Sequence, residues 1–257
     1  MPTTIILYTY IFILGAVLGS FNNVVGMRIP LKQSIAYPGS ACPICNKKLS
    51  ALELIPIFSF LLQNGKCKNC KISISPLYPT IELVTAILFT ISPMLVGWSK
   101  ELILAWSLIS LCMIVTVSDL KYMIIPDKVN LFFLVLFTVE RVFISAESWY
   151  DPIAGFLVGG LVPLVVILVS RGGMGGGDMK LLAVFGIILG WKLVLLSFFL
   201  ATLVGTIVGF LGMMTGSVKK GKPFPFGPFL VVGALLSYFF GNELIHLYLS
   251  YFFSYFY

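Results

Sequence analysis

The stretch LILAWSLISLCMIVTVS, residues 102–118, is a predominantly apolar run that stops on an acid, Asp119, and continues as Leu120-Lys-Tyr-Met-Ile-Ile-Pro126-Asp127. A helix needs about 20 such residues to cross the hydrocarbon core of a bilayer, so the run reads as a membrane span with a carboxyl group at its edge. Comparable stretches flank it at 4–26, 78–97, 129–144, 153–170 and 226–245. A longer one from Leu181 to Met214 is broken at Trp191-Lys192, giving a short sixth span and a full seventh. The sequence therefore predicts an all-α polytopic membrane protein with about eight transmembrane helices. Composition agrees, since 59% of the 257 residues are hydrophobic and 11% are charged, with a mean hydropathy of +1.03. Soluble domains carry roughly 25% charged residues. A soluble enzyme, a disordered tail and a disulfide-rich secreted module are excluded.

The 17 basic residues give the orientation. None precedes the first span, which argues against a cleaved signal peptide and for an outside N-terminus. Eight spans then put 28–77, 119–128, 171–180 and 215–225 in the cytoplasm. Those segments hold every Lys and Arg except Lys100, Arg141 and Lys192, as the positive-inside rule requires. Gly-xxx-Gly pairs at Gly15/Gly19, Gly155/Gly159 and Gly205/Gly209 suit close helix packing in lipid.

One long polar segment, about 28–77, interrupts the spans as a cytoplasmic insertion. It holds Cys42-Pro-Ile-Cys45 and Cys67-Lys-Asn-Cys70, with 21 residues between the pairs. Two CxxC knuckles at this separation can bring four thiolates to one tetrahedral zinc, although the gap slightly exceeds the usual 15–20 or so. Lys47, Lys48, Lys66, Lys68 and Lys71 would offset the charge of a tetrathiolate and favour thiolate over thiol. The alternatives are disulfides, which a reducing cytoplasm disfavours, or reduced cysteines without metal. Four protein ligands leave no open position, so the metal would be structural. Cys112, alone in an apolar span, reads as packing.

Of ten acidic residues, Glu101, Glu140, Glu147, Asp151 and Glu243 fall at outer ends or loops and are expected to be solvated. Asp119, Asp127 and Asp178 fall at the cytoplasmic face. Asp178 closes a run with five glycines, Gly172-Gly-Met-Gly-Gly-Gly177-Asp178. Ionisable groups at membrane depth are costly and are functional candidates by default, and glycines let the backbone bring such a group close to a partner. Two carboxyls meeting there would share one proton. One could then activate water while the other protonates a carbonyl or leaving group, with no nucleophilic serine and no histidine; the one histidine, His246, lies in the last span. Other readings stay open. Asp178 suits a helix N-cap, Asp127 after Pro126 suits a cap or support, and the Asp119/Asp178 pair could line an ion path. A phosphate loop is discounted, because no GK[ST] follows the glycines.

With these motifs in view, the chain resembles the type IV prepilin peptidases, bifunctional leader peptidase/N-methyltransferases of bacterial membranes. The resemblance rests on Gly19-Ser-Phe-Asn-Asn-Val-Val-Gly-Met-Arg28-Ile-Pro30, the two CxxC pairs, Glu53-Leu-Ile-Pro56, Tyr78-Pro-Thr-Ile-Glu82, Asp119 through Asp127, Gly175-Gly-Gly-Asp178 and Phe226-Gly-Pro-Phe229. It implies that Asp119 and Asp178 are the catalytic dyad of a GxGD-type aspartic peptidase. It implies prepilin or type II secretion pseudopilin substrates, cut after a short basic leader at the cytoplasmic face of the inner membrane. It also implies methylation of the new N-terminal amine from S-adenosyl-L-methionine, with the cysteine-bound zinc tied to that second activity. No nucleotide fingerprint locates the methyl donor; Glu53 and Glu82 are the candidates on that side. The expected organisation is a first helix (1–27), the four-cysteine insertion (28–77) and a peptidase bundle (78–257). Expected partners are the substrates and the lipid bilayer, with no nucleic acid. A basic leader meeting a chain of net charge +7 should need acids along its route. The rival readings are a peptidase alone, with the insertion docking substrate, and an ion-coupled transporter with a zinc regulatory domain.

Overall fold

The computed structural model describes residues 2–144, 146, 148–216 and 224–254, so Glu147 and the basic residues Lys219, Lys220 and Lys222 lie outside the described residues. Eight α-helices follow in order: α1 (Pro2–Arg28), α2 (Phe58–Leu62), α3 (Leu77–Val96), α4 (Glu101–Tyr122), α5 (Asp127–Phe143), α6 (Asp151–Val169), α7 (Gly176–Met214) and α8 (Gly227–Ser254). Among the described residues the only β pairing is two isolated bridges. Among the described residues six helices are long and apolar enough to cross a membrane, against the eight expected spans. The difference has two sources. α5 is 17 residues, and α7 is one element of 39 residues in which the expected sixth and seventh spans are joined.

The break anticipated at Trp191-Lys192 falls at Gly190, whose φ of 73° and ψ of 174° leave the helix. Positive φ is open to glycine at no steric cost. The contacts on either side show that the chain turns back there. Before it, α7 runs from Asp178, near Asp119, to Ile188, whose carbonyl accepts a bond from Arg141 beside Glu101. After it, Leu193 lies against Gly241, Ala201 against Gly233, and Gly205 against Phe226. α8 itself starts on Asp119 and carries the Tyr238 hydroxyl to Glu101. The second half of α7 therefore descends alongside α8 towards the level from which the first half rose.

α4 is the central rod, packed on α1, α3, α5 and α8, with Leu104, Leu108, Leu111, Cys112, Val115 and Val117 fully buried. Lipid is as apolar as leucine, so association depends on close contact, and small residues supply it. A methyl group on Gly15 or Gly19 would lie 2.8 Å from the Ala86 or Glu82 Cα of α3. Gly155 and Gly159 of α6 abut the α7 backbone at Gly186 and Leu182. The third pair behaves differently: Gly205 faces Phe226, but Gly209 faces open space.

Candidate active site and metal centre

Asp119 and Asp178 come from helix ends of opposite polarity. α4 stops just after Asp119, where Met123 adopts a left-handed conformation and donates its N–H to the Asp119 carbonyl. Ile124, Ile125 and the extended Pro126 then lead into α5. Asp178 lies in the first turn of α7, and the N–H of Gly175, the residue ahead of that helix, donates to its Oδ2 at 3.2 Å. Gly177 lets the two corners approach, since a Cβ there would stand 3.1 Å from the Ile125 side chain. The result is an open pocket of about 490 Å³ lined by both aspartates, by 123–127 and by Gly175, Gly176, Gly177 and Lys180. Asp119 is 5% exposed and Asp178 9%.

A third element closes on the pair. The N–H of Gly227, at the amino end of α8, donates to Asp119 Oδ2 at 2.7 Å. A methyl group on Gly227 would sit 2.7 Å from that same oxygen, so the contact requires glycine. Phe226-Gly-Pro was visible in the sequence as a motif, but its target, 108 positions away, was not. Asp127 sits at the rim, 70% exposed, with its carboxylate 2.8 Å from the 50% exposed Lys180 ammonium rather than capping α5. An exposed pair of this kind stabilises little. The described lining includes no serine, cysteine or histidine. What the pocket offers is two sheltered carboxyls able to trade protons with water and a substrate carbonyl. His246 lies elsewhere, exposed on α8 beside Asn242 and Glu243.

The insertion builds the second site from two copies of one turn. Antiparallel bridges pair Ala41 with Lys48 and Lys66 with Ser73. In each turn the first cysteine's N–H bonds a carbonyl five residues on, and its carbonyl accepts from the residue after the second cysteine. That residue, Asn46 or Lys71, has φ of 54° or 59°. The four sulfurs all lie within 4.8 Å of one another, with Cys42–Cys70 at 3.8 Å and Cys45–Cys67 at 4.0 Å. Corners of a tetrahedron about 2.3 Å from its centre are about 3.8 Å apart, so the cluster fits a tetrathiolate metal ion, and these separations are far from a disulfide's ~2.05 Å. Bonds from the Lys47 amide and the Asn69 side chain bring the Cys45 thiol down to about 6. Amides of Cys70 and Asn69 lower Cys67. Cys70 accepts from the Ile72 amide, yet burial and three neighbouring sulfurs push it up to about 11. Cys112 is fully buried in α4, away from the cluster.

Glu53 and Glu82 are not part of the aspartate pocket. Glu53 is buried in a 3-10 turn (Ala51–Leu54), where Ser50 N–H and Oγ–H both donate to Oε2 at 2.9 Å and hold its carboxyl below the usual range. Glu82 Oε2 accepts the Ile57 N–H at 2.8 Å, which ties the insertion to α3. Arg28 donates to the Ser34 and Pro38 carbonyls, folding the chain after α1 back on itself.

The acids expected to be solvated at the far end are instead engaged. Glu101 pairs with Arg141 at 3.2 Å, Glu140 accepts from Ser107 Oγ at 2.6 Å, and Asp151 accepts the Trp191 N–H at 3.4 Å. The reason is the reversal at Gly190. It leaves carbonyls at the end of one helical half and amides at the start of the next without helical partners, and Arg141 and Asp151 supply them. Glu243 is exposed as expected.

Two family models match the chain. The family model of the bacterial peptidase A24 N-terminal domain matches residues 13–96, which take in the four cysteines. That of the type IV leader peptidase family matches residues 106–210, which take in both aspartates. Relatives named prepilin leader peptidase/N-methyltransferase occur in Bacillus subtilis (43% identical, 93% of this chain and 97% of the relative), Aeromonas salmonicida (32%, 95% and 94%) and Pseudomonas aeruginosa (31%, 97% and 95%). No solved structure matches the chain.

Proposed function

The chain belongs to the type IV leader peptidase family, and from that premise we propose that it cleaves prepilin leaders with Asp119 and Asp178 and methylates the amine released. It is a multi-pass inner-membrane prepilin leader peptidase and N-methyltransferase, and the ion-coupled transporter reading is set aside. The observation that carries the residue assignment is the single pocket lined by both aspartates.

We assign the base to Asp119, whose bond from the α8 amide is the shorter of the two carboxyls' amide bonds, and the acid to Asp178. Asp119 takes a proton from water as its oxygen attacks the scissile carbonyl, and Asp178 gives its proton to the carbonyl oxygen. As the tetrahedral adduct collapses, one of its hydroxyls returns a proton to Asp178, the C–N bond breaks, and the proton held by Asp119 passes to the departing amine. Asp127, at the pocket rim, is paired with Lys180, a cation whose place a basic leader would take. Substrates in this reading are prepilins and pseudopilins held in the bilayer. Arg28, Lys121, Lys128, Arg171 and Lys180 flank the dyad end of the helices, which supports placing that end in the cytoplasm.

Cys42, Cys45, Cys67 and Cys70 would hold a structural zinc, whose chemistry is to cross-link the two knuckles. S-adenosyl-L-methionine would supply the methyl group: its methyl–sulfur bond would break as the new terminal amine bonds the carbon, releasing S-adenosyl-L-homocysteine and one proton. Glu53 and Glu82 serve that side by holding the insertion's frame. We read 28–77 as the methyl-transfer module, 1–27 as its leading helix and 78–257 as the peptidase bundle. The test is mass spectrometry of a short prepilin incubated with the purified protein and S-adenosyl-L-methionine. Loss of the leader followed by gain of one methyl is expected. Loss of the leader with no methyl gain would reduce the protein to a peptidase, and an intact substrate would refute the reading.

A further inference from the structure

α2 is a five-residue helix, Phe58-Ser-Phe-Leu-Leu62, on the surface of the insertion. One side of it is used internally, with Phe60 half-buried and its ring over Gly65. The other side is bare: Phe58 is 62% exposed, Leu61 62% and Leu62 81%, with Leu52 at 70% just upstream. Exposed apolar groups concentrated like this mark an interaction site.

What covers them follows from where α2 is fastened. Ile57, immediately ahead of it, donates its N–H to Glu82. Glu82 is five residues into the spanning helix α3, roughly 7.5 Å along its axis from Leu77. Ile57 holds a φ of 63° and ψ of −56° to make this bond, a conformation rare for a β-branched residue. The joint fixes α2 beside the first turns of a membrane span, the depth of lipid headgroups and the upper acyl chains. Charge points to the same partner. Between Arg28 and Leu77 the only acid is Glu53, which is buried, against Arg28, Lys32, Lys47, Lys48, Lys66, Lys68 and Lys71. Exposed apolar side chains on a segment rich in lysine and almost free of acid are the composition of a surface that lies in the membrane interface, with the ammonium groups at anionic headgroups.

We propose that the insertion rests on the bilayer itself, with Phe58, Leu61 and Leu62 entering the acyl boundary and the lysines meeting anionic lipid phosphates. The docking depends only on the fold and is independent of the peptidase and methyltransferase reading.

The test uses the full chain carrying Leu62→Trp, reconstituted in phosphatidylglycerol/phosphatidylcholine vesicles. The signal of Trp98, Trp106, Trp149 and Trp191 is subtracted with the parent protein. Blue-shifted emission is expected, quenched more strongly by lipids brominated near the headgroup than by lipids brominated near the chain end. In phosphatidylcholine alone the quenching should be weaker; equal quenching would remove the lysines from the proposal. Emission of a water-exposed indole, or burial that appears only when a prepilin is added, would overturn it, the latter by making α2 a substrate contact. A second variant, Leu61→Asp with Leu62→Asp, keeps the test independent of the probe. It should make Lys66 and Lys68 several-fold more susceptible to trypsin in vesicles while bound metal is unchanged. Unchanged susceptibility would count against the docking.

Discussion

Asp119 has its carboxylate fixed by a backbone amide that no side-chain substitution at a neighbouring position could supply. The Gly227 N–H holds one of its oxygens at 2.7 Å and leaves no room for a Cβ. Gly227→Ala should push that carboxylate out of register with Asp178. A shift of about 1 Å costs on the order of 100-fold in rate, so kcat for leader cleavage should fall by about that factor with KM little changed; equal loss in both would mean that Gly227 serves substrate binding. The two aspartates were legible from sequence because an acid abutting an apolar run is conspicuous. Gly227 was not, because nothing in a Gly-Pro pair names a carboxylate 108 positions away. Glu82 was visible as an acid at the start of a span, but its partner is a backbone amide, Ile57 N–H, which sequence does not display.

At the level of elements, the reversal within α7 decides where Asp178 can be. The first half, 176–189, is roughly 21 Å long, shorter than a ~30 Å hydrocarbon core, and it is fixed at its far end by Arg141 on the Ile188 carbonyl and by Asp151 on the Trp191 amide. Gly190→Ala should cost about 1–3 kcal/mol for the positive-φ, extended-ψ backbone alone, with added overlap against the Asp151 carboxylate. Arg141→Met breaks the Glu101 ion pair and strips a partner from the buried Ile188 carbonyl, and a buried unpaired group costs about 1–3 kcal/mol. Each variant should melt below the parent protein in detergent; an unchanged Tm for both would remove the clasp from the fold's supports. Sequence reading found the break within one residue, because Trp-Lys interrupts an apolar run. It missed the clasp, because Glu101, Glu140, Arg141 and Asp151 look like loop charges until the orphaned helix ends they serve are known.

Across the whole molecule, the insertion and the bundle each build a site of their own, and Glu82 on Ile57 hydrogen-bonds one to the other. Removing one sulfur from the cluster leaves the remaining three unable to complete a closed tetrahedral site. Cys42→Ser should therefore lose bound metal and methyl transfer yet keep leader cleavage; methylation surviving without metal would contradict the role given to the knuckles. The architecture was readable because composition and span length leave few options for so apolar a chain, and the four-cysteine site because its spacing carries its own geometry. The span count was harder to read, since α5 and the first half of α7 are too short for length alone to define them.

The central claim is that Asp119 and Asp178 work as one unit. Groups that act together are strongly non-additive when removed. The decisive measurement is kcat for leader cleavage in Asp119→Asn, Asp178→Asn and the double variant, with folding checked by Tm. The account predicts that either single change abolishes cleavage as completely as both. Substantial cleavage by one single variant, or losses that multiply in the double, would contradict it.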